Sequence, residues 1–292
     1  MQEYSYRIPL MGTKLDVIFI HDEEPIGLFD KLTTFGQSVE SQFSRFIPDS
    51  ELSQVSLKTK SHVSDRFAEV LTLAFQLNEK TKGLFNPLLS PKQIGYNQDF
   101  NTESENFKSL SGKTNMNIDM LSMNNNIVQK EKDHFLDFGG FLKGWTAQKM
   151  SEQCSAIKGS IINLGGDVVV KGCDLNTEDF HMTIHNPLNP KQPIPIRLKD
   201  EALATSGTYK RKWEDKHHIL DPQTQDSSRS DLISASIITN DAAVADALAT
   251  VSIILGKTKA IDFLELQKVR YLLIDQDGQI TNNTNKLSPP AG

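Results

Sequence analysis

The 292-residue chain is 38% hydrophobic and 23% charged, with 17 Gly and 12 Pro, a globular composition that excludes disordered, collagen-like and disulfide-scaffold proteins. Its two cysteines, Cys154 and Cys173, make no CxxC pair and no zinc spacing and are read as buried thiols, with an unsupported disulfide between them as the alternative. A net charge of −6 and a pI near 5.7 argue against a nucleic-acid or anionic-membrane partner, so a phosphorylated ligand would need local neutralisation.

No stretch reaches the ~18 apolar residues of a membrane span. The opening Met-Gln-Glu-Tyr-Ser-Tyr-Arg carries no apolar signal core and no lipobox cysteine. The expected location is cytoplasmic, with a leader-trimmed exported form as the alternative.

Leu15–Ile20 is β-branched and apolar, a predicted strand. Leu28, Leu32, Phe35, Val39 and Phe43 recur at three- and four-residue steps and predict an amphipathic helix. Phe67, Val70, Leu71, Ala74 and Leu77 predict a second, ending towards Gly83. From about 92 to 133 the chain is Asn/Ser/Lys-rich with little periodicity, including Asn124-Asn125-Asn126, and reads as a long, variable surface excursion.

A strand ending near Phe138, a helix over about 140–157 and a strand over 160–164 are expected next. Gly165-Gly166 is read as an interruption, with the strand resuming over 167–171. Pro187, Pro190, Pro193 and Pro195 mark an extended, edge-like connection. Leu232–Thr239 alternates as a strand before a helix over about 241–255. Strands over 269–274 and 279–281 flank Gln276-Asp277-Gly278, a hairpin signal. Helices and strands interleave without a repeat, so the class is α+β.

Several chemical signals fail. Gly112-Lys113-Thr114 and Gly256-Lys257-Thr258 lack the glycine of a phosphate loop, having Phe107 and Val251 there. No dinucleotide fingerprint and no Gly-x-Ser-x-Gly elbow exists. His181 and His185, four apart in a strand-like stretch, read as structural or solvent-facing.

Three small, polar turns at strand ends remain: Leu136–Gly140, which leads into a helix carrying Lys143; Asn163–Asp167; and Leu203–Gly207. Glycines permit close backbone approach, and a helix N-terminus offers amides to an anion. Each alone is weak, but three in one chain favour a nucleotide-like ligand.

Asp246 and Thr250 are more specific. At i and i+4 they share one helix face, a carboxylate and a hydroxyl suited as hard oxygen donors for Mg²⁺. The alternative is a solvated Asp246 with Thr250 bonded back to its carbonyl. Their helix is apolar nearly all round, which predicts burial, and a buried carboxylate needs a partner. His217-His218 before Leu220-Asp221-Pro222 reads equally as a strand with one His in and one out, or as a general base near Asp221.

These segments in this order resemble the ApbE family, the flavin transferases that attach FMN to proteins. The resemblance runs from Met11-Gly12-Thr13, through Ser44–Leu52, Asp137–Gly144, Ile162–Asp167, Ala204–Gly207 and His218–Pro222, to Ala245–Thr250. It implies one α+β domain over 1–292, with two interleaved lobes of mixed or antiparallel sheet, flanking helices and a ligand cleft between them. It further implies FAD as substrate, Mg²⁺, an acceptor flavoprotein with a Thr or Ser hydroxyl, and AMP as product. No nucleic acid or membrane span is expected.

By the same resemblance, Asp246, Thr250 and the main-chain oxygen of Gly140 would hold the metal, and His218 would be the base. FAD contacts would come from Met11, Phe46, Phe85, Asn86, Pro87, Asp137, Lys143 and Leu220. The chain departs from the family at Phe85-Asn86-Pro87-Leu88-Leu89-Ser90-Pro91, where Phe-Asp-Pro-Thr-Val-Gly-Pro is usual, and at Thr224-Gln225, where Thr-Gly is usual. The rivals to a transferase are an FAD pyrophosphatase on the same scaffold and a non-catalytic flavin-binding protein. The usual lipoprotein leader is not seen, so the expected acceptor is cytoplasmic.

Overall fold

The computed structural model describes residues 1–89, 117–132, 134–209, 212–213 and 216–284. Most of the expected surface excursion, Gly112-Lys113-Thr114, Ser90-Pro91 and Lys210-Arg211 lie outside the described residues.

In chain order the elements are β1 (Gln2–Leu10), β2 (Thr13–His21), α1 (Leu28–Phe43), α2 (Glu51–Leu57), β3 (Lys60–His62) and α3 (Asp65–Lys80). A 3₁₀ turn at Ile118–Met120 precedes β4 (Leu121–Asn124), β5 (Ile127–Lys130) and α4 (Leu142–Glu152). Then come β6 (Gly159–Leu164), β7 (Asp167–Gly172), β8 (Phe180–Ile184), β9 (Ile194–Leu198) and β10 (Ala202–Gly207). Four two-residue strands follow: β11 (Lys212–Trp213), β12 (Lys216–His217), β13 (Leu220–Asp221) and β14 (Asp226–Ser227). The chain continues with β15 (Leu232–Thr239), α5 (Ala242–Leu255), α6 (Lys257–Gln267), β16 (Arg270–Asp275) and β17 (Ile280–Asn282). The fold is α+β, as expected. It divides into one compact unit of Met1–Gln37, Phe141–Lys210 and Arg229–Gly292, and a second of Ser38–Gly140 and Arg211–Ser228.

The first unit is built on an antiparallel sheet in the order β1-β2-β6-β7-β10-β15-β16-β17. Alternation sorts its side chains onto two faces. Leu15, Val17 and Phe19 of β2, Ile162 and Leu164 of β6, Val169 of β7 and Ala202 of β10 pack with Leu32 of α1, Ala147 and Met150 of α4, and Ala242 of α5. Ile20, Val168, Val170, Leu203, Ile238, Leu272 and Ile274 face the other way, onto Phe180, Ile184, Ile196 and Leu198 of the β8–β9 hairpin. α5 is buried on all sides, as its composition predicts, and Asp241 caps it by accepting from Ala243 N (2.8 Å) and Val244 N (3.0 Å).

Two hairpin turns lie at one end of this sheet. Met11-Gly12 joins β1 to β2 with φ of +53° and +65°, both positive as a type I′ turn requires. Gly165-Gly166, expected to interrupt one strand, instead joins β6 to β7 as a hairpin turn with φ of +68° and +106°. A Cβ on Gly165 would also overlap Thr13, so the close approach of the turns requires glycine. Residues 203–207, expected as a polar turn, are part of strand β10, because Thr205, Ser206 and Gly207 pair with Ser236, Ala235 and Ser234 of β15.

In the second unit Phe43, Phe67 and Phe138 form an aromatic trio with centroids 5.6–5.9 Å apart. Ser50 and Ser64 cap α2 and α3 through Ser53 N and Phe67 N. No ladder forms over 134–138, where a strand is predicted. Leu136 N–H donates to the Ser56 hydroxyl (3.1 Å) and Asp137 N–H to the Pro87 carbonyl (2.8 Å), partners outside any sheet. Asn125 and Asn126, within the aperiodic stretch, are the turn of the β4–β5 hairpin, with φ of +47° and +59°. Asparagine is enriched there because it tolerates the left-handed region.

Both cysteines are free thiols. Burial pushes the Cys154 thiol up to about 11, whereas Cys173 is only half-buried, correcting the expectation of two buried thiols. Among the described residues no helix is long and apolar enough to cross a membrane.

Candidate active site

Within the first unit, strand parity brings a charged group together. Asp167 opens β7 and shares the face of Val169, which looks onto the helices. There Lys143, in the first turn of α4, pairs with Asp167 and, at 3.3 Å, with Asp246 of α5. Both carboxylates are buried, 2% and 4% exposed, so each needs the ammonium as partner. α4 and α5 come close because residue 144 is glycine: a Cβ there would overlap the Ala242 carbonyl.

The same parity places Ser206 beside α5. It shares the face of Ala202 and Ala204, and its hydroxyl meets the Thr250 hydroxyl at 3.0 Å. Asp246 is therefore buried rather than solvated, and Thr250 bonds across to β10. Burial, with the Asp167 carboxylate adding to it, pushes the Asp246 carboxyl up to about 7 against the pull of the Lys143 ammonium. Among the described residues no group of three or more His, Cys, Asp or Glu is placed to hold a metal ion. A hard divalent cation of the Mg²⁺ type needs no such cluster, only one or two carboxylates with neutral oxygens. The position fits one: a buried carboxylate one turn from a hydroxyl, already holding a positive group.

Sequence reasoning missed Asp167 and Ser206 as members of this group. Asp167 closes the turn that begins at Asn163, and its parity with Val169 is the signal that points to it. Nothing in the sequence joins Ser206 to Thr250, because that contact depends on which strand lies under α5. Met11 stands half-buried at the turn beside Thr13, packed on the first unit's core.

The second unit gathers another set of expected residues. The Asp137 carboxylate pairs with Arg45 and accepts from Gly139 N at 2.7 Å, while its N–H bonds Pro87. The Arg45 guanidinium lies 4.8 Å from the centre of the Phe46 ring, which is 40% exposed and offers a stacking face. Phe85 is buried, its carbonyl accepting from Asn78 Nδ2 at 2.7 Å. Asn86 Oδ1 accepts from Leu88 N at 3.0 Å, so the turn survives without the usual carboxylate. Leu88, in place of the usual threonine, is fully buried and has become core.

The two adjacent histidines separate in role. His217 is buried; Ile219 N–H donates to its Nδ1 at 3.3 Å, so Nε2 carries the proton and donates to the Ser228 carbonyl at 3.0 Å. His218 is half-buried and follows β12. Leu220 is buried in β13, which leaves its main chain rather than its side chain for a ligand. Gly140 ends the second unit's first segment, just before Phe141 and α4.

The sequence profile of the ApbE family matches residues 11–273. Curated relatives named FAD:protein FMN transferase include one from Vibrio cholerae, 24% identical over 91% of this chain and 85% of its own, and one from Treponema pallidum, 25% identical over 96% and 86%. Among solved structures, the flavin transferase ApbE of Vibrio cholerae superposes with a TM-score of 0.83 at 21% identity, covering 97% of this chain and 96% of that one. The ApbE protein of Thermotoga maritima gives 0.86 at 23% identity, with 97% of each chain covered. Those likenesses carry the α+β fold, and the profile match spans both compact units. The chain belongs to the ApbE family.

Proposed function

We propose that this chain is an Mg²⁺-dependent FAD:protein FMN transferase that moves FMN from FAD to a Thr or Ser hydroxyl of an acceptor flavoprotein and releases AMP. The observation that carries the reading is the buried Asp246 carboxylate, one helical turn from Thr250 and held beside the Lys143 ammonium. The names of the curated relatives support transfer of FMN from FAD to a protein.

Asp246 and Thr250, with the main-chain oxygen of Gly140, would hold the metal. Bound there, the ion would neutralise the FAD pyrophosphate and the charge developing on the AMP leaving group. His218 would take the proton of the acceptor hydroxyl. The acceptor oxygen then bonds the phosphorus of the FMN half, and the bridging P–O bond breaks with its electron pair leaving on AMP. Phe46 would stack on an aromatic ring of the substrate. Met11, Asp137, Lys143, Leu220 and the turn of Phe85, Asn86 and Pro87 would complete the FAD contacts.

The test is incubation with FAD and Mg²⁺, with and without a candidate acceptor, following AMP release and protein-bound flavin fluorescence. AMP and bound flavin that both require acceptor support the transferase. AMP without acceptor makes the chain an FAD pyrophosphatase, and no AMP under either condition sinks both enzyme readings. Asp246→Ala abolishes Mg²⁺-dependent turnover; unchanged turnover in that variant refutes the metal assignment.

A further inference from the structure

We propose that Lys143 is a built-in counter-ion that occupies the metal-binding carboxylate while no divalent cation is present and gives it up when one arrives. The inference rests on the reading of Asp246 as a metal ligand. Its ground is that one ammonium serves two buried carboxylates, in close contact with Asp167 and at 3.3 Å from Asp246. Lys143 itself is only 17% exposed, so the charge is held inside the unit rather than at its surface.

Two buried carboxylates without a cation would repel each other and lose their hydration, which opposes folding. The ammonium removes that cost in the metal-free protein. A divalent cation at Asp246 would repel an ammonium left beside the same carboxylate. Lys143 retains Asp167, its closer partner, and releases Asp246. The lysine stem from α4 allows the shift without moving a helix, because a four-carbon side chain has rotamers enough to change partners. Asp167 is therefore a positioning residue: it keeps the displaced ammonium near the site, where it can meet an anionic ligand. The release also sets the metal affinity, since each binding event must displace a resident positive charge.

The experiment is calorimetric titration of Mn²⁺, a hard-cation stand-in for Mg²⁺, into the metal-free full chain without nucleotide, alongside melting temperatures. Lys143→Gln lowers the metal-free melting temperature and tightens Mn²⁺ binding tenfold or more. The double variant K143Q/D167N restores the wild-type net charge of the site and spares Asp167 an unpaired burial, so it folds even if the single variant does not. It still binds Mn²⁺ more tightly than wild type. Wild-type affinity in the double variant overturns the inference, since net charge alone would then account for the effect. Asp246→Asn separates the two readings. Loss of Mn²⁺ binding there with no tightening in the double variant sinks the counter-ion role alone. Retained binding in Asp246→Asn sinks the metal assignment itself.

Discussion

Gln225 occupies the left-handed region at φ +56°, in the turn where Gln225 N–H reaches back to the Asp221 carbonyl at 2.7 Å. The family usually has glycine there, and the backbone shows why: an L side chain in that conformation costs ~1–2 kcal/mol. Part of this is offset because glycine loses more chain entropy on folding, ~0.5–1 kcal/mol. Gln225→Gly is therefore expected to raise stability by up to ~1 kcal/mol. Gln225→Val, β-branched at positive φ, lowers it by more than ~1 kcal/mol. Chemical unfolding of the two variants checks both signs. The departure at Asn86 reads differently, since its amide oxygen makes the same local turn a carboxylate could. What is lost there is a charge, and the pattern of residues alone could not separate that from loss of the turn.

Among the elements, the contact of α4 with α5 depends on one missing methyl. Gly144→Ala would gain ~1 kcal/mol of helix propensity but drive a Cβ into the Ala242 carbonyl. Main chain cannot yield as a side-chain tip does, so a net loss of ~1–3 kcal/mol is expected, read as a lower melting temperature. A second junction ties the end of β16 to the start of α6. The Asp275 carboxylate accepts from Lys257 Nζ (2.8 Å), Gln279 N (2.8 Å) and Asp277 N (3.1 Å). These partners, the Lys257 ammonium foremost, hold its carboxyl below the usual range. A depressed folded-state value stabilises fully above the unfolded pKa of ~3.9 and is lost as pH falls through the folded one. The stability gap between wild type and Asp275→Asn, measured in urea, is thus constant above about pH 5 and closes below about pH 4.

β1 and α6 had no sequence assignment. The alternation of Tyr4, Tyr6, Ile8 and Leu10 was a usable strand signal. α6 buries only Ala260 and Leu264, too narrow a stripe for periodicity to stand out.

For the molecule as a whole, the proposed metal-binding side chains of Asp246 and Thr250 belong to one compact unit, and Gly140 and the proposed base His218 belong to the other. The two histidines make that division testable. His217→Ala removes a buried ring with two main-chain partners and is expected to cost ~1–3 kcal/mol of stability. His218→Ala, at a half-buried ring, is expected to lower the melting temperature less than His217→Ala and to slow flavin transfer about 10²–10⁴-fold. Equal losses of stability in both variants, with transfer lost only in proportion to unfolding, would remove His218 from the mechanism.

The sequence by itself determined whatever depends on neighbours along the chain. Helical periodicity located α1 and α3, and the i, i+4 step put Asp246 and Thr250 on one face because 3.6 residues make a turn wherever the helix lies. The ordered motifs sufficed for the family. Only the tertiary structure decided that Asp167 shares the Lys143 ammonium with Asp246 and that Ser206 meets Thr250. Those contacts join residues tens of positions apart. They follow from strand order, register and pleat, quantities fixed by how a whole sheet packs beneath its helices.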